Sequence, residues 1–235
     1  MSEDYGRDPV FQARRVLDDL RAFEGDVFII PEAVQPVQSS TIEAASARNV
    51  VVPLDAFRRE ICECQCCTLG KTRNNFVFGS GNPDAGIMFI GEAPGADEDA
   101  QGQPFVGKAG QLLTKIIEAM GMRREEVYIC NVLKCRPPRN RDPNPEEIAS
   151  CEPYLKRQIE IVQPKIICTL GRISTQALLK TSAPMRSLRG MLHEYEGIPL
   201  IATYHPAALL RNPQWKRGTW EDVKWLRREY DGVQL

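Results

Sequence analysis

The chain has 235 residues, 43% apolar and 26% charged, with a net charge of -1. That describes a globular chain of one ordinary domain plus an extension, and it excludes nucleic-acid binding by bulk charge, so any such binding must come from local basic clusters. No apolar run approaches the roughly 20 residues of a membrane span, and MSEDYGRDPV lacks the basic-then-apolar layout of a signal peptide, so a cytoplasmic protein with no membrane association is expected.

Residues 8–24 have helical spacing at Phe11, Val16, Leu17, Leu20 and Phe23. Residues 32–50 are small, polar and aperiodic, the composition of a flexible linker. Residues 1–50 are therefore expected to form an N-terminal helix and linker, either a docked appendage or an element for a partner, and a compact domain is expected over 51–235. Leu54 to Cys62 reads as a short helix leading into ECQCCTLGKTR.

Ile87 to Gly110 organises the rest. Ile87-Met88-Phe89-Ile90 has the composition of a strand buried on both faces. It breaks at Gly91 into a glycine-rich loop with Glu92, Asp97, Glu98, Asp99 and one aromatic, Phe105. A helical pattern follows, with Leu112, Leu113, Ile116 and Ile117 on one face. Strand, loop, helix is the layout that places a ligand at the carboxyl end of a parallel strand. Phe105 offers a flat apolar surface suited to stacking on a planar ring, and Glu92 sits just past the strand end, where catalytic side chains are held.

Further strands are predicted over 127–133, ending at Asn131 and Lys134, over Lys165–Leu170, and over Leu200–Thr203, ending at Tyr204-His205-Pro206. Helices are predicted over Glu146–Val162, Gly171–Lys180 and Trp215–Tyr230. Alternation of strand and helix argues a three-layer α/β/α sandwich on a parallel sheet. Glu92, Asn131 and His205 then fall at the carboxyl ends of three strands and can converge on one pocket.

In an intracellular chain the eight cysteines are not expected to form structural disulfides. Cys130 and Cys168 lie in strand-like runs and read as buried core thiols. Cys64-x-x-Cys67 with Cys135 and Cys151 supplies four thiolates, enough for a tetrahedral zinc or an iron–sulfur cluster. Cys62 and Cys66 leave the register of the first pair open.

GEAPGADEDAQGQPFVGKAGQLL, NVLKCRPPRNRDPNPEE and YHPAALLRNP, in this order, resemble the family 4 uracil-DNA glycosylases that carry an iron–sulfur cluster. The resemblance runs from about Cys64 to Trp225. It implies the glycosylase fold with a central four-stranded parallel sheet, and hydrolysis of the bond between uracil and deoxyribose in base excision repair, leaving an abasic site. It implies a [4Fe-4S] cluster on Cys64, Cys67, Cys135 and Cys151, the family's CxxCxL pattern fixing the register on Cys64. It further implies stacking of uracil on Phe105, recognition by Asn131, a hydrogen bond from His205 to uracil O2, and a role for Glu92 with the attacking water or the cationic sugar. Glu98 is expected to crowd C5 and exclude thymine.

Uracil-containing DNA, single- or double-stranded, is the expected partner of a monomer working at the nucleoid. Its phosphates are expected to meet Arg136, Arg139 and Arg141, Lys71 and Arg73, and Arg211 beyond the His-Pro pair. Leu209 or Leu210 is expected to wedge into the gap left by the flipped base. A related group bonds covalently to the abasic sugar through a His in this basic loop; RPPRNRDPNP has none, so turnover is expected. The competing reading is a non-catalytic, redox-responsive iron–sulfur protein that binds DNA.

Overall fold

A computed structural model describes residues 53–233; the helix, linker and partner expected for residues 1–50 lie outside them. The strands are β1 (Ser80–Gly81), β2 (Ile87–Gly91), β3 (Tyr128–Asn131), β4 (Ile166–Leu170), β5 (Leu192–Tyr195) and β6 (Ile198–Thr203). They form one sheet in the order β1-β3-β2-β4-β6-β5. The four central strands are parallel, as expected, and an antiparallel strand closes each edge. The edge strands escape sequence reading for a physical reason. β1 is a two-residue pairing, and β5 carries exposed residues at alternate positions.

Strand alternation builds the layers. Ile87 and Phe89 of β2 point to one face, Met88 and Ile90 to the other. The first face packs under α3 (Lys108–Ala119) and α8 (Lys216–Val233) through Leu113, Ile117, Val223 and Leu226. The second packs under α4 (Pro145–Val162) and α5 (Arg172–Leu179) through Leu155, Ile159 and Leu178. Cys130 and Cys168 are buried in these two cores, as their runs suggested.

Four shorter helices complete the set: α1 (Leu54–Ile61), α2 (Ala96–Gln101), α6 (Met185–Leu188) and α7 (Pro206–Arg211). α2 lies inside the stretch expected to be loop. It forms because Gly95 starts the helix while Glu98 reaches back to the Gly95 amide, and Gly102 ends it in the left-handed region at φ 71°. α7 follows directly on His205, with Pro206 at its first position. Among the described residues no helix is long and apolar enough to cross a membrane.

One buried polar network ties β3 to α4. The fully buried Lys134 donates through Nζ to the Asn131 carbonyl (2.7 Å) and to Gln158 Oε1 (2.5 Å). Gln158 Nε2 donates onward to the Phe78 carbonyl (2.9 Å) and the Tyr128 hydroxyl (3.1 Å). Burial pulls the Lys134 pKa down. Replacing Gln158 by Leu strands a buried ammonium donor, at a cost of about 3 kcal/mol or more. The expected drop in melting temperature is roughly 6–12 °C, read by thermal denaturation of Gln158→Leu against the parent.

Candidate active site and cysteine centre

The parallel strands all end at one edge of the sheet, so Gly91, Asn131, Leu170 and Thr203 deliver their following residues to the same place. A cavity of about 350 Å³ opens there, lined among others by Glu92, Glu98, Phe105, Asn131, Asp142, His205 and Arg211. A slightly larger hollow of about 380 Å³ lies between the end of α4 and the β5–β6 turn and holds none of these residues. The convergence expected from three strand ends is what the fold produces.

A side chain at position 91 would force its neighbours to move. A Cβ there would stand 2.5 Å from Phe105 Cζ and would also collide with Asn131 Oδ1. The floor of the cavity is therefore a backbone on which an aromatic ring and a carboxamide both rest. Phe105 holds a left-handed backbone, φ 53°, a conformation that costs free energy in a non-glycine residue. The Glu98 carboxylate helps to fix it, accepting the amides of Gly95 (3.1 Å), Val106 (2.9 Å) and Gly107 (3.0 Å). Glu98 lines the cavity with its carboxylate held in place by the loop backbone. Asp99 is structural: it is buried and accepts from the Asn74 amide (2.9 Å) and Nδ2 (2.7 Å).

Asn131 Oδ1 is buried and has no hydrogen-bond partner. An orphaned acceptor of this kind costs about 1–3 kcal/mol. It marks a place where a ligand donor belongs. The rings of Phe105 and His205 lie 5.5 Å apart between centroids. His205 Nδ1 accepts the Ala207 amide at 3.1 Å. Burial of the ring, with Arg211 nearby, pulls its pKa down to about 4. At neutral pH the imidazole is uncharged, and with Nδ1 accepting, the proton sits on Nε2 as a donor.

Glu92 shifts the opposite way. Burial, and then the negative charge of Asp142, push its pKa up to about 7, with Arg172 opposing. Asp142 pairs with Arg172 at 2.5 Å. The sequence offered no signal for this pair, because the two side chains come from segments thirty residues apart in the chain.

The expected DNA contacts divide. Arg139 and Arg211 are exposed. Arg136 is half-buried and donates to Asn140 Oδ1 at 2.7 Å. Arg141 grips Glu147 through two nitrogens, at 2.7 and 2.9 Å. Lys71 is exposed, but Arg73 is turned inward onto the carbonyls of Cys62 (2.8 Å) and Cys64 (2.7 Å). Leu209 is 1% exposed and Leu210 47%. Helix α7 turns the first into the core, so the wedge expectation fails for Leu209 and stands only for Leu210.

Cys64, Cys67, Cys135 and Cys151 fall in one neighbourhood. Cys67, Cys135 and Cys151 share a small apolar cluster with Leu69 and Leu133. Burial pushes the Cys151 thiol up to about 11 despite the nearby Lys134, with the Cys135 and Cys67 thiols adding to the rise. Burial likewise raises Cys135, against the pull of Arg73, whose Nη1 donates to Cys135 Sγ at 3.2 Å. Burial also acts to raise Cys64, but the Tyr154 hydroxyl (3.3 Å) and the Cys66 amide (3.4 Å) donate to its Sγ and bring the thiol below its usual value. Cys66 is exposed and Cys62 half-buried. Among the described residues no three His, Cys, Asp or Glu side chains are arranged to hold a single metal ion.

An α/β/α protein with a mixed sheet, parallel at its centre, and a polar cavity at the carboxyl edge of the parallel strands is the class these features define. The family model described as the uracil DNA glycosylase superfamily matches residues 78–225. The chain is 48% identical over 179 residues to the type-4 uracil-DNA glycosylase of Archaeoglobus fulgidus, covering 73% of this chain and 90% of that protein. It is 50% identical over 180 residues to that of Saccharolobus solfataricus (73% and 83%), and 42% over 175 residues to that of Thermotoga maritima (73% and 91%). The chain belongs to the uracil-DNA glycosylase superfamily, in its type-4 family.

The Asp142–Arg172 pair sets opposite charges beside Glu92. Asp142→Asn removes the negative one, so the Glu92 pKa falls below about 7; Arg172→Gln removes the positive one, so it rises. Carbon-13 carboxyl titration by NMR reads both shifts, and a pair that acted only by bracing the loop would move them in the same direction.

Proposed function

We propose that the protein removes uracil from DNA by hydrolysing its N-glycosidic bond, and that the cavity at the sheet edge binds the flipped base. The observation that carries the reading is the buried, unpartnered Asn131 Oδ1 in a cavity also lined by Phe105 and His205. Uracil presents an N–H at N3 and an acceptor at O4. One carboxamide satisfies both, accepting at Oδ1 and donating from Nδ2. Cytosine presents the reverse pattern and would leave buried groups unpaired on both sides, a basis for discrimination of order 10⁴.

A base in the duplex cannot reach this cavity and must be flipped out. Phe105 then supplies the stacking face. The neutral His205 donates from Nε2 to the uracil O2 as negative charge builds on the leaving base, without itself having to lose solvent at that moment. Glu92, once ionised, accepts a proton from the attacking water or stabilises the cationic sugar. Leu210 fills the gap left in the stack, while Arg139, Arg211 and Lys71 meet phosphates. The basic loop over residues 136–144 has no His, which supports release of the abasic product. The work is done on single- or double-stranded DNA by a monomer of the cytoplasm, at the nucleoid.

The four cysteines suit a [4Fe-4S] cluster. The donors are soft thiolates, the cations Arg73 and Lys134 stand beside them, and the thiols share a neighbourhood without converging as the ligands of one ion would. Bound, the cluster would supply a cross-link that pins Cys64 and Cys67 to the basic loop at Cys135 and to α4 at Cys151. Its role is structural: iron removal should lower the melting temperature and the excision rate together, read by circular dichroism and product assay on the same samples.

Oligonucleotides carrying one uracil, with matched thymine and cytosine controls, test the activity. Uracil-only cleavage after alkali is expected, falling about 10²–10³-fold in His205→Ala and collapsing in Asn131→Ala. No cleavage by protein with intact visible cluster absorbance would favour a DNA-binding protein without catalysis. The single-turnover rate should rise with pH through about 7 and level off above, because Glu92 protonates below that value. Glu92→Gln should abolish this limb, and His205, already neutral above about 4, adds none in that range.

A further inference from the structure

Trp215 is a large aromatic left 37% exposed, in the short turn of 3-10 helix Pro213–Trp215 that follows α7. It stacks on Tyr204, with ring centroids 4.6 Å apart and planes 18° from parallel. The Arg189 guanidinium lies 4.2 Å from the Tyr204 centroid. Two groups this close cannot share one face of a phenol ring, so Tyr204 is sandwiched between them. Arg189 is held in turn by Asp222 at 2.7 Å, and Asp222 accepts from the Thr203 hydroxyl at 2.6 Å, deep in the fold. The result is a layered stack fixed at its inner end and ending in a partly exposed indole.

We propose that Trp215, backed by Tyr204 and Arg189, is a stacking platform for an unpaired base of the DNA strand next to the flipped nucleotide. The inference rests on the glycosylase reading and extends it to a residue outside the cavity. Its place in the chain supports this. Tyr204 immediately precedes His205, and Trp215 follows Arg211 by four residues, so the segments that carry the stack are the ones that carry two residues of the cavity lining. Its charge supports it too. Arg211, Lys216 and Arg217, all exposed, lie close to Trp215 in the chain, and of the carboxylates that follow, Asp222 is taken by Arg189 and Glu221 by Lys224. Cationic side chains around a free aromatic face are the elements that hold single-stranded nucleic acid, the cations on phosphate and the ring on a base. A rigid ring also loses little entropy on binding, unlike a long flexible side chain.

The test uses the full-length, cluster-containing protein and a single-stranded oligonucleotide of thymine only, which is not a substrate. Tryptophan fluorescence should be quenched on titration. Trp215→Leu keeps apolar cover over Tyr204 but removes the aromatic face, and should weaken binding about 5- to 100-fold. Trp215→Phe should restore most of the affinity. The slope of log affinity against log salt should stay the same in both variants, because no phosphate contact is removed. Wild-type affinity in Trp215→Leu would overturn the proposal. So would a loss that comes with a changed salt slope, or a self-associating wild type that Trp215→Leu turns monomeric, which would make the face a contact between copies. Excision of uracil by the wild type is scored separately: excision without any Trp215 effect sinks the platform alone, and binding through Trp215 without excision sinks the glycosylase reading instead.

Discussion

Phe105 and the Asn131 carboxamide press on the same bare Cα, that of Gly91, and the site is built outward from that contact. It fixes the height of the aromatic face above the end of β2 and the position of the orphaned acceptor at the end of β3. The parallel pairing of Gly91 with Asn131 makes the meeting possible, since register alone brings the two strand ends level. A left-handed Phe105 is then needed to fold the ring down onto the glycine, and Glu98 holds the loop amides that make this backbone persist. Glu98 is thus the clamp on the loop that carries Phe105.

The charges of the site follow from the same burial. Removing water disfavours whichever form is ionised, so it raises a carboxylic acid and lowers an imidazole. Glu92 and His205 are moved in opposite directions by this single cause, one towards neutrality of the medium and the other far below it. The consequence is a pocket with a neutral donor above pH 4 and one group that titrates near the working pH. Asp142, in the cavity wall, and its partner Arg172 act on the second with opposite signs.

The cysteine neighbourhood and the pocket share structural walls. Lys134, next to Cys135 in the chain, donates to the carbonyl of Asn131, and Gln158 links it to the strand and to α4, the helix that also carries Cys151. Arg73 ties the segment of Cys62 and Cys64 to Cys135 from the other side. Anything that anchors the four thiols therefore also stiffens the carboxyl end of β3, where the Asn131 carboxamide sits. This is a mechanical coupling, through packed and bonded groups, and needs no chemistry of the thiols on the substrate.

Much of the arrangement is written in the order of residue types. Buried apolar runs ending at Gly91, Asn131, Leu170 and Thr203 set four parallel strands, because only a doubly covered sheet tolerates such runs, and parallel strands put their successors at one edge. That was enough to bring Glu92, Phe105, Asn131 and His205 together. What the one-dimensional chain does not carry is direction and company. The short helix α7 decides that Leu209 faces inward and Leu210 outward, although the two are adjacent. Hydrogen bonding to backbone amides decides where the Glu98 carboxylate is held, and the packing of distant segments decides that Asp142 and Arg172 both act on Glu92. The Arg189–Tyr204–Trp215 stack joins three segments whose spacing shows no pattern. Periodicity reports which face a residue lies on within its own element; which group it meets there depends on the other elements, and only the tertiary packing brings those in.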